Sequence, residues 1–167
     1  YHLAKNGWDT VLIERDVLTS GTTWHAAGMI TQLGTAPQIT RLRKYSVEFY
    51  KDLKKITGKD SSFKETGTIN IAINKERHQE YLRQKTMSKQ FDINIELINK
   101  REFKDLYPIA KNSDVYSGLY IPEDGQADPQ ILTKTIADAA RQEGAKIFEN
   151  CKLEKIFTRD NQVRAVK

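Results

Sequence analysis

No apolar run in the 167 residues approaches the roughly 18–20 needed to cross a bilayer as a helix, which excludes a membrane span within the chain. Cysteine is nearly absent. Cys151 stands alone, which excludes an internal disulfide framework and a cysteine-based zinc site. A reducing compartment follows, with Cys151 expected to be a small buried residue. The three histidines, His2, His25 and His78, lie far apart and show no metal-ligand spacing. Repeats, linkers and low-complexity stretches are missing too. The formal charge is +5, but no basic arm or run carries it. Lys and Arg are mixed with acids, as at Lys51, Asp52, Lys54 and Lys55 or Lys100, Arg101, Glu102, Lys104 and Asp105, which is the pattern of solvated helix faces and argues against a nucleic-acid binder. A positive field of this size is compatible with a small carboxylate substrate.

Initiator methionine is also missing. The chain opens inside an expected helix, residues 1–6, stopped by Gly7, and ends on an expected strand, residues 162–167. It therefore reads as a piece of a longer protein, with any targeting signal outside it.

What is present reads as alternating helix and strand. Val11, Leu12 and Ile13 follow the glycine stop and suggest a buried strand of a parallel α/β unit. A loop of small residues follows, 18–28. From Pro37 to Thr57, Ile39, Leu42, Tyr45, Phe49, Leu53 and Ile56 recur at steps of three and four, the face of an amphipathic helix ended by Gly58. Residues 68–73 alternate, with Ile69, Ile71 and Ile73 on one side of a half-buried strand. Asn74 is placed to cap a polar helix running to about Gln90. Residues 92–98 alternate again. Asn99 with Glu102 has the form of a capping box for a short helix that Pro108 closes. Residues 118–121 form a brief strand. Asp128 before Pro129 starts a helix with Ile131, Leu132, Ile136, Ala139 and Ala140 inward, ended by Gly144. Residues 145–149 and 152–157 read as strands, and 159–162 as a hairpin turn. The middle, about 45–121, predicts an antiparallel sheet and the flanks a parallel α/β domain, so a nucleotide-binding domain interrupted by a second domain is expected.

In a dinucleotide-binding βαβ unit an acid at the end of the second strand accepts hydrogen bonds from ribose hydroxyls, about 20 residues after a glycine-rich turn. Glu14 ends the strand at 11–13. Counting back puts the last glycine of that turn just before Tyr1. By itself Glu14 reads more readily as a solvated acid at a strand end.

The string LIER at 12–15 followed by LTSGTTWHAAGM at 18–29 resembles the dimethylglycine dehydrogenase and sarcosine dehydrogenase family, within the D-amino-acid-oxidase-like flavoproteins. Further matching strings are ETGTINIA at 65–72, LYP at 106–108, GLYIP at 118–122, Asp124-Gly125 with Asp128-Pro129, and GAKIFE at 144–149 before Cys151. The resemblance spans essentially the whole chain in order. It implies an α/β fold: a discontinuous FAD-binding Rossmann-like domain, residues 1–40 and 123–167, interrupted by a mixed α+β substrate domain, 41–122, with the first strand and glycine motif missing.

The same resemblance assigns roles. His25 stands where covalent members bond an imidazole nitrogen to the flavin 8α-methyl carbon. Glu14 and Arg15 match the pair beside the adenosine ribose. Gly21, Thr22, Thr23, Trp24, Ala26, Ala27, Gly28 and Met29 match the segment along the flavin, where small residues let backbone approach the ring. Leu153 matches a position, usually valine, whose backbone contacts the adenine end. Neutral imidazole is a competent nucleophile toward an electrophilic carbon near neutral pH, although a histidine in a small-residue loop is more often a surface or packing residue. Trp24 reads as a flavin neighbour or as a core anchor, and Thr22 and Thr23 as cofactor donors or helix caps. Arg41, Arg43 and Lys44 have the chemistry of a carboxylate clamp but read as an exposed helix face. Asp128 needs only its capping role.

The implied reaction is oxidative demethylation of an N-methylated glycine, sarcosine or dimethylglycine, with hydride passing from the N-methyl carbon to FAD. Implied too are a tetrahydrofolate-binding domain further along the chain, an electron-transfer flavoprotein as acceptor, and a bacterial cytoplasmic or mitochondrial matrix location. No catalytic residue is assignable. The chain by itself is expected to be inactive and unable to hold FAD. Two other readings stay open: an FAD oxidoreductase of another secondary or tertiary amine or amino acid, and a non-catalytic regulatory homologue, against which the retained His25 argues.

Overall fold

Caps and glycine stops set the helix limits, and packing then decides which face each helix buries. The computed structural model describes residues 1–167. Helix α1 (His2–Lys5) is followed by Gly7 at φ +82°, and α2 (Pro37–Thr57) by Gly58 at φ +73°, left-handed positions where glycine carries no steric penalty. The Asn74 side chain accepts from the Arg77 N–H at the start of α3 (Lys75–Ser88). Asn99 and Glu102 form the reciprocal capping box of α4 (Lys100–Leu106). Asp128 accepts from the N–H groups of Gln130 and Ile131 at the start of α5 (Pro129–Gln142). These bonds satisfy backbone donors that a helix leaves orphaned at its first turn.

The chain divides into two compact units. The first holds residues Tyr1–Gly28, Asp52–Ser62 and Asp128–Lys167. Its strands β1 (Val11–Ile13) and β8 (Lys146–Phe148) pair in parallel, with Val11 opposite Lys146. Ala4, Ala140 and Ala145 form a small core with Tyr1 and Ile147 against it. Asp160 and Asn161, at φ +52° and +55°, make the two-residue turn between antiparallel strands β9 (Ile156–Arg159) and β10 (Gln162–Val166).

The second unit holds Met29–Lys51 and Phe63–Ala127. A three-stranded antiparallel sheet places β6 (Ser117–Ile121) between β4 (Thr68–Ala72) and β5 (Glu96–Ile98). A second small sheet places β7 (Gly125–Gln126) between β2 (Met29–Ile30) and β3 (Lys64–Glu65). Gly125 is required there: a Cβ would stand 2.1 Å from the Lys64 carbonyl oxygen. The main core gathers Ala72, Tyr81, Phe91, Ile93, Ile95, Leu119 and Ile121, and a lesser one Ile98, Phe103 and Val115.

Several faces differ from the sequence reading. On α2 the buried stripe is Thr40, Val47 and Leu53, whereas Ile39, Leu42 and Tyr45 are exposed. Polar anchors choose that face. Thr40 Oγ1 donates to the Ala36 carbonyl and accepts from the Gly34 N–H, and Lys44 Nζ donates to the carbonyls of Phe91 and Asp92. Ile71 and Ile73 are exposed because the larger core lies on the opposite side of β4, with Ala72. Val11 and Leu12 are not buried as expected: β1 has one partner strand, and the helical cover meets Ile147 of β8. Ile131 is exposed, the inward place being taken by Thr135, whose hydroxyl bonds to the Ile131 carbonyl. Cys151 is exposed, not buried, because Asn150 at φ +56° turns the chain and only the Cys151 backbone N–H is tied back, to the Glu14 carbonyl. Residues 152–155 lie outside the strand, which begins at Ile156.

No helix is long and apolar enough to cross a membrane. Leu119→Ala, in a fully buried position, is expected to lower unfolding free energy by about 2–5 kcal/mol. Leu42→Ala, on the outward face of α2, should stay within about 0.5 kcal/mol. Denaturant titration of both variants checks this, and equal losses would restore the original α2 face.

Candidate functional site

Glu14 ends β1 in a dense set of local bonds. Its N–H donates to the Phe148 carbonyl at 2.8 Å and its carbonyl accepts from Cys151 at 2.8 Å. Its carboxylate Oε1 accepts from the Asp16 N–H at 3.0 Å, which leaves Oε2 for another donor. Arg15 pairs with its neighbour Asp16 in the open, an arrangement of little energetic weight.

From there the loop is held at one point by Glu149, whose carboxylate accepts from the Leu18 N–H at 2.6 Å. Thr23–His25 then form a single 3-10 turn. Thr22 precedes it and makes no side-chain cap, so capping is not its role. Trp24 is 54% exposed, which removes the core-anchor reading. Its ring lies 3.7 Å from the His25 ring, centroid to centroid, tilted by 33°. His25 is exposed, as are Gly21, Thr22, Ala26 and Ala27. A side chain built on Gly21 would meet nothing within 4 Å. Gly28, at φ +75°, closes the segment. Met29 opens β2 in the second unit, and Leu153 is exposed between β8 and β9.

The first unit thus brings together a strand-end carboxylate, a loop whose backbone is approachable and an accessible imidazole beside an indole. That donor set fits a dinucleotide with an aromatic ring system: an acceptor for ribose hydroxyls, small side chains for close contact and an open nucleophilic nitrogen. No group of three or more His, Cys, Asp or Glu side chains is arranged to hold a metal ion.

In the second unit the sequence reading had assigned no role to Asp124, although Asp124-Gly125 stood out as a string. Its side chain is fully buried. Oδ1 accepts from the Gln32 N–H at 2.8 Å and Oδ2 from the Thr68 hydroxyl at 2.6 Å, while its carbonyl accepts from the Gly67 N–H. Burial pushes the Asp124 carboxyl above the usual range, against the opposing pull of those bonds and of the Arg43 charge. Gln32 is itself 2% exposed, and its Nε2 has no acceptor. Asp124 lines a cleft of about 500 Å³ with Arg43, Asn70, Arg77, Glu80 and Tyr81. Only the acid-then-glycine pair at a strand end hinted at this in the sequence. Of the basic residues on α2, Lys44 is tied to the turn at 91–92 and Arg41 lies over the Phe91 ring, so neither is free to clamp a ligand.

Comparison with known proteins matches residues 1–167 to the family described as FAD dependent oxidoreductase. The chain is 37% identical to the mitochondrial sarcosine dehydrogenase of Homo sapiens, over 99% of this chain and 18% of that protein. It is 35% identical to the 4-methylaminobutanoate oxidase (formaldehyde-forming) of Paenarthrobacter nicotinovorans, over 99% of this chain and 20% of that one. The chain therefore spans about a fifth of the length of these relatives. Among solved structures, the L-proline dehydrogenase from P. horikoshii superposes with a TM-score of 0.92 at 30% identity, covering 99% of this chain and 44% of that chain.

Asp124→Ala, which strands the Gln32 and Thr68 donors, is expected to cost about 1–3 kcal/mol of stability. Asp124→Asn keeps the shape without the charge. A carboxyl with a raised folded pKa contributes stability that is present at low pH and lost as pH rises through that pKa. The stability of Asp124→Asn relative to the native chain should therefore rise as pH increases above the ordinary carboxyl range, about 4. Thermal unfolding of the pair across that range checks it, and an Asp124→Asn variant whose stability relative to the native chain falls as pH rises would contradict the assignment.

Proposed function

The chain belongs to the FAD dependent oxidoreductase family, and from that membership we propose that the whole protein is an FAD-dependent amine dehydrogenase or oxidase that removes an N-methyl group from a glycine-type amine such as sarcosine or dimethylglycine. The observation that carries the reading is His25, exposed on its 3-10 turn within the same compact unit as the Glu14 strand end. A buried or side-chain-bonded imidazole would have no nitrogen to offer.

In this reading residues 1–40 and 123–167 belong to the FAD-binding domain and residues 41–122 to the substrate domain. His25 supplies the imidazole nitrogen for a covalent bond to the flavin 8α carbon. Glu14 accepts from the adenosine ribose, with Arg15 beside it, and Leu153 lends its backbone to the adenine end. Gly21, Thr22, Thr23, Trp24, Ala26, Ala27, Gly28 and Met29 line the flavin, with Trp24 as an apolar wall. FAD, when bound, supplies the two-electron acceptor for oxidation of the N-methyl carbon, and the chain contributes binding and orientation. An electron-transfer flavoprotein as acceptor and a tetrahydrofolate-binding domain elsewhere in the protein belong to the same proposal. So does a bacterial cytoplasmic or mitochondrial location.

The relative named for 4-methylaminobutanoate supports a wider substrate range, in which the acid group stands further from the methylated nitrogen. Oxidation rates of the whole protein with both amines separate the two.

The deciding test is denaturing gel electrophoresis of the whole protein, viewed under ultraviolet light. The native protein should give a flavin-fluorescent band and His25→Ala none, with flavin recovered from the mutant only in the non-denatured preparation. A band that survives the substitution would overturn the attachment. A native preparation without flavin absorbance would overturn the enzymatic reading.

A further inference from the structure

We propose that Glu149 is a positioning residue for the flavin, its carboxylate holding the root of the loop 18–28 so that His25 meets the ring. This rests on the reading of His25 as the point of attachment, which names the nucleophile and nothing that aims it.

Two strings that stand out in the sequence meet in one hydrogen bond. LTSGTTWHAAGM begins at Leu18 and GAKIFE ends at Glu149, 131 residues later. Glu149 Oε1 accepts from the Leu18 N–H at 2.6 Å, within one compact unit. The backbone leads up to that contact from both sides. Past β1 and β8 the pairing continues: the Glu14 N–H donates to the Phe148 carbonyl at 2.8 Å, Cys151 to Glu14 at 2.8 Å and Asn150 to Asp16 at 2.6 Å. The Glu149 side chain adds the outermost tie of this series, beyond the reach of backbone alone.

Beyond Leu18 the loop makes only local backbone bonds, from the N–H of Ser20 to Val17, of His25 to Thr22 and of Ala26 to Thr23. Its turn at Thr23–His25 also lies against α5. Glu149 is therefore the polar group from outside the loop that fixes its entry. Nearby cations do not compete for that oxygen. Lys59 and Arg141, which line the same cleft as Leu18 and Glu149, are both held by Asp138, at 2.6 and 3.1 Å. A bond from a backbone N–H to a carboxylate is charge-assisted, about twice as strong as a neutral one. Glu149 is exposed, so that bond adds little to the stability of the whole. Its effect is on place. A displacement of about 1 Å at a reacting atom costs on the order of 100-fold in rate.

The test uses the whole protein, prepared flavin-free, given FAD in air and sampled over time on denaturing gels under ultraviolet light. Attachment forms one bond from an imidazole nitrogen to the 8α carbon and releases a proton from each. The electron pair passes to the flavin and then to dioxygen, which becomes hydrogen peroxide. Glu149→Ala should slow the fluorescent band about 10- to 100-fold. Glu149→Gln, whose amide oxygen still accepts, should stay within about threefold of native. Neither variant should move the melting temperature by more than about 2 °C. Hydrogen–deuterium exchange of residues 18–28 in the flavin-free protein should quicken in Glu149→Ala and stay near native in Glu149→Gln. Where the native protein attaches flavin, an unchanged rate in Glu149→Ala would overturn the proposal, as would a glutamine variant as slow as alanine. Where the native protein binds FAD without a covalent bond, the attachment reading falls. The positioning role then survives if Glu149→Ala loosens the loop and raises the FAD dissociation constant, and falls with it if neither changes. A native protein that takes up no FAD would overturn both.

Discussion

A buried carboxylate organises the second unit. Asp124 closes β6, and through its two oxygens and its carbonyl it takes donors from Gln32, Thr68 and Gly67. These belong to two separate stretches of chain: the segment after β2, and the turn that leads into the first residue of β4. A single acid thus replaces the backbone pairing that a regular sheet would provide where the sheets meet loops. Burying a carboxyl group without partners is costly, and here each of its two oxygens accepts a hydrogen bond. The cleft beside it inherits its floor from that constraint.

The first unit is built differently. Its core is small and made of alanines around one parallel strand pair. Its loop from Leu18 to Gly28 is tied at its start to Glu149 and carries a single 3-10 turn at Thr23–His25, with Gly21, Thr22, Trp24, His25, Ala26 and Ala27 exposed. Loops held at both ends by a scaffold, with small side chains between, present backbone and a few chosen groups to a ligand. The Trp24 and His25 rings lie against each other, tilted by 33°, and both residues are exposed. An indole that size is rarely left in water without a partner surface to meet.

Much of this was legible from residues alone wherever the deciding interaction is local. The cap at Asn74, the box at Asn99 and Glu102, the start at Asp128 and Pro129, and the stops at Gly58 and Gly144 all lie within a few residues of the groups they satisfy. The motif around His25 was legible for the same reason, as a contiguous string. The faces of α2 and β4 were not. Periodicity marks which residues share a side, but Lys44 reaching the carbonyls of Phe91 and Asp92 helps decide that Thr40 and Val47, not Ile39 and Leu42, are covered. Nothing near Lys44 in the chain announces those acceptors.

What the residues determined by themselves is the order of the main helices and strands, the family, and the small-residue setting of His25. The tertiary structure alone decided which apolar rows are covered and where the charges are cancelled. It made Asp124 a buried junction and paired Glu80 with Arg83. The physical reason is range. Capping and turn chemistry are settled within one or two turns of backbone, whereas burial and charge compensation depend on partners tens of residues away, such as Gln32 and Asp124, that only the folded chain brings within a hydrogen bond.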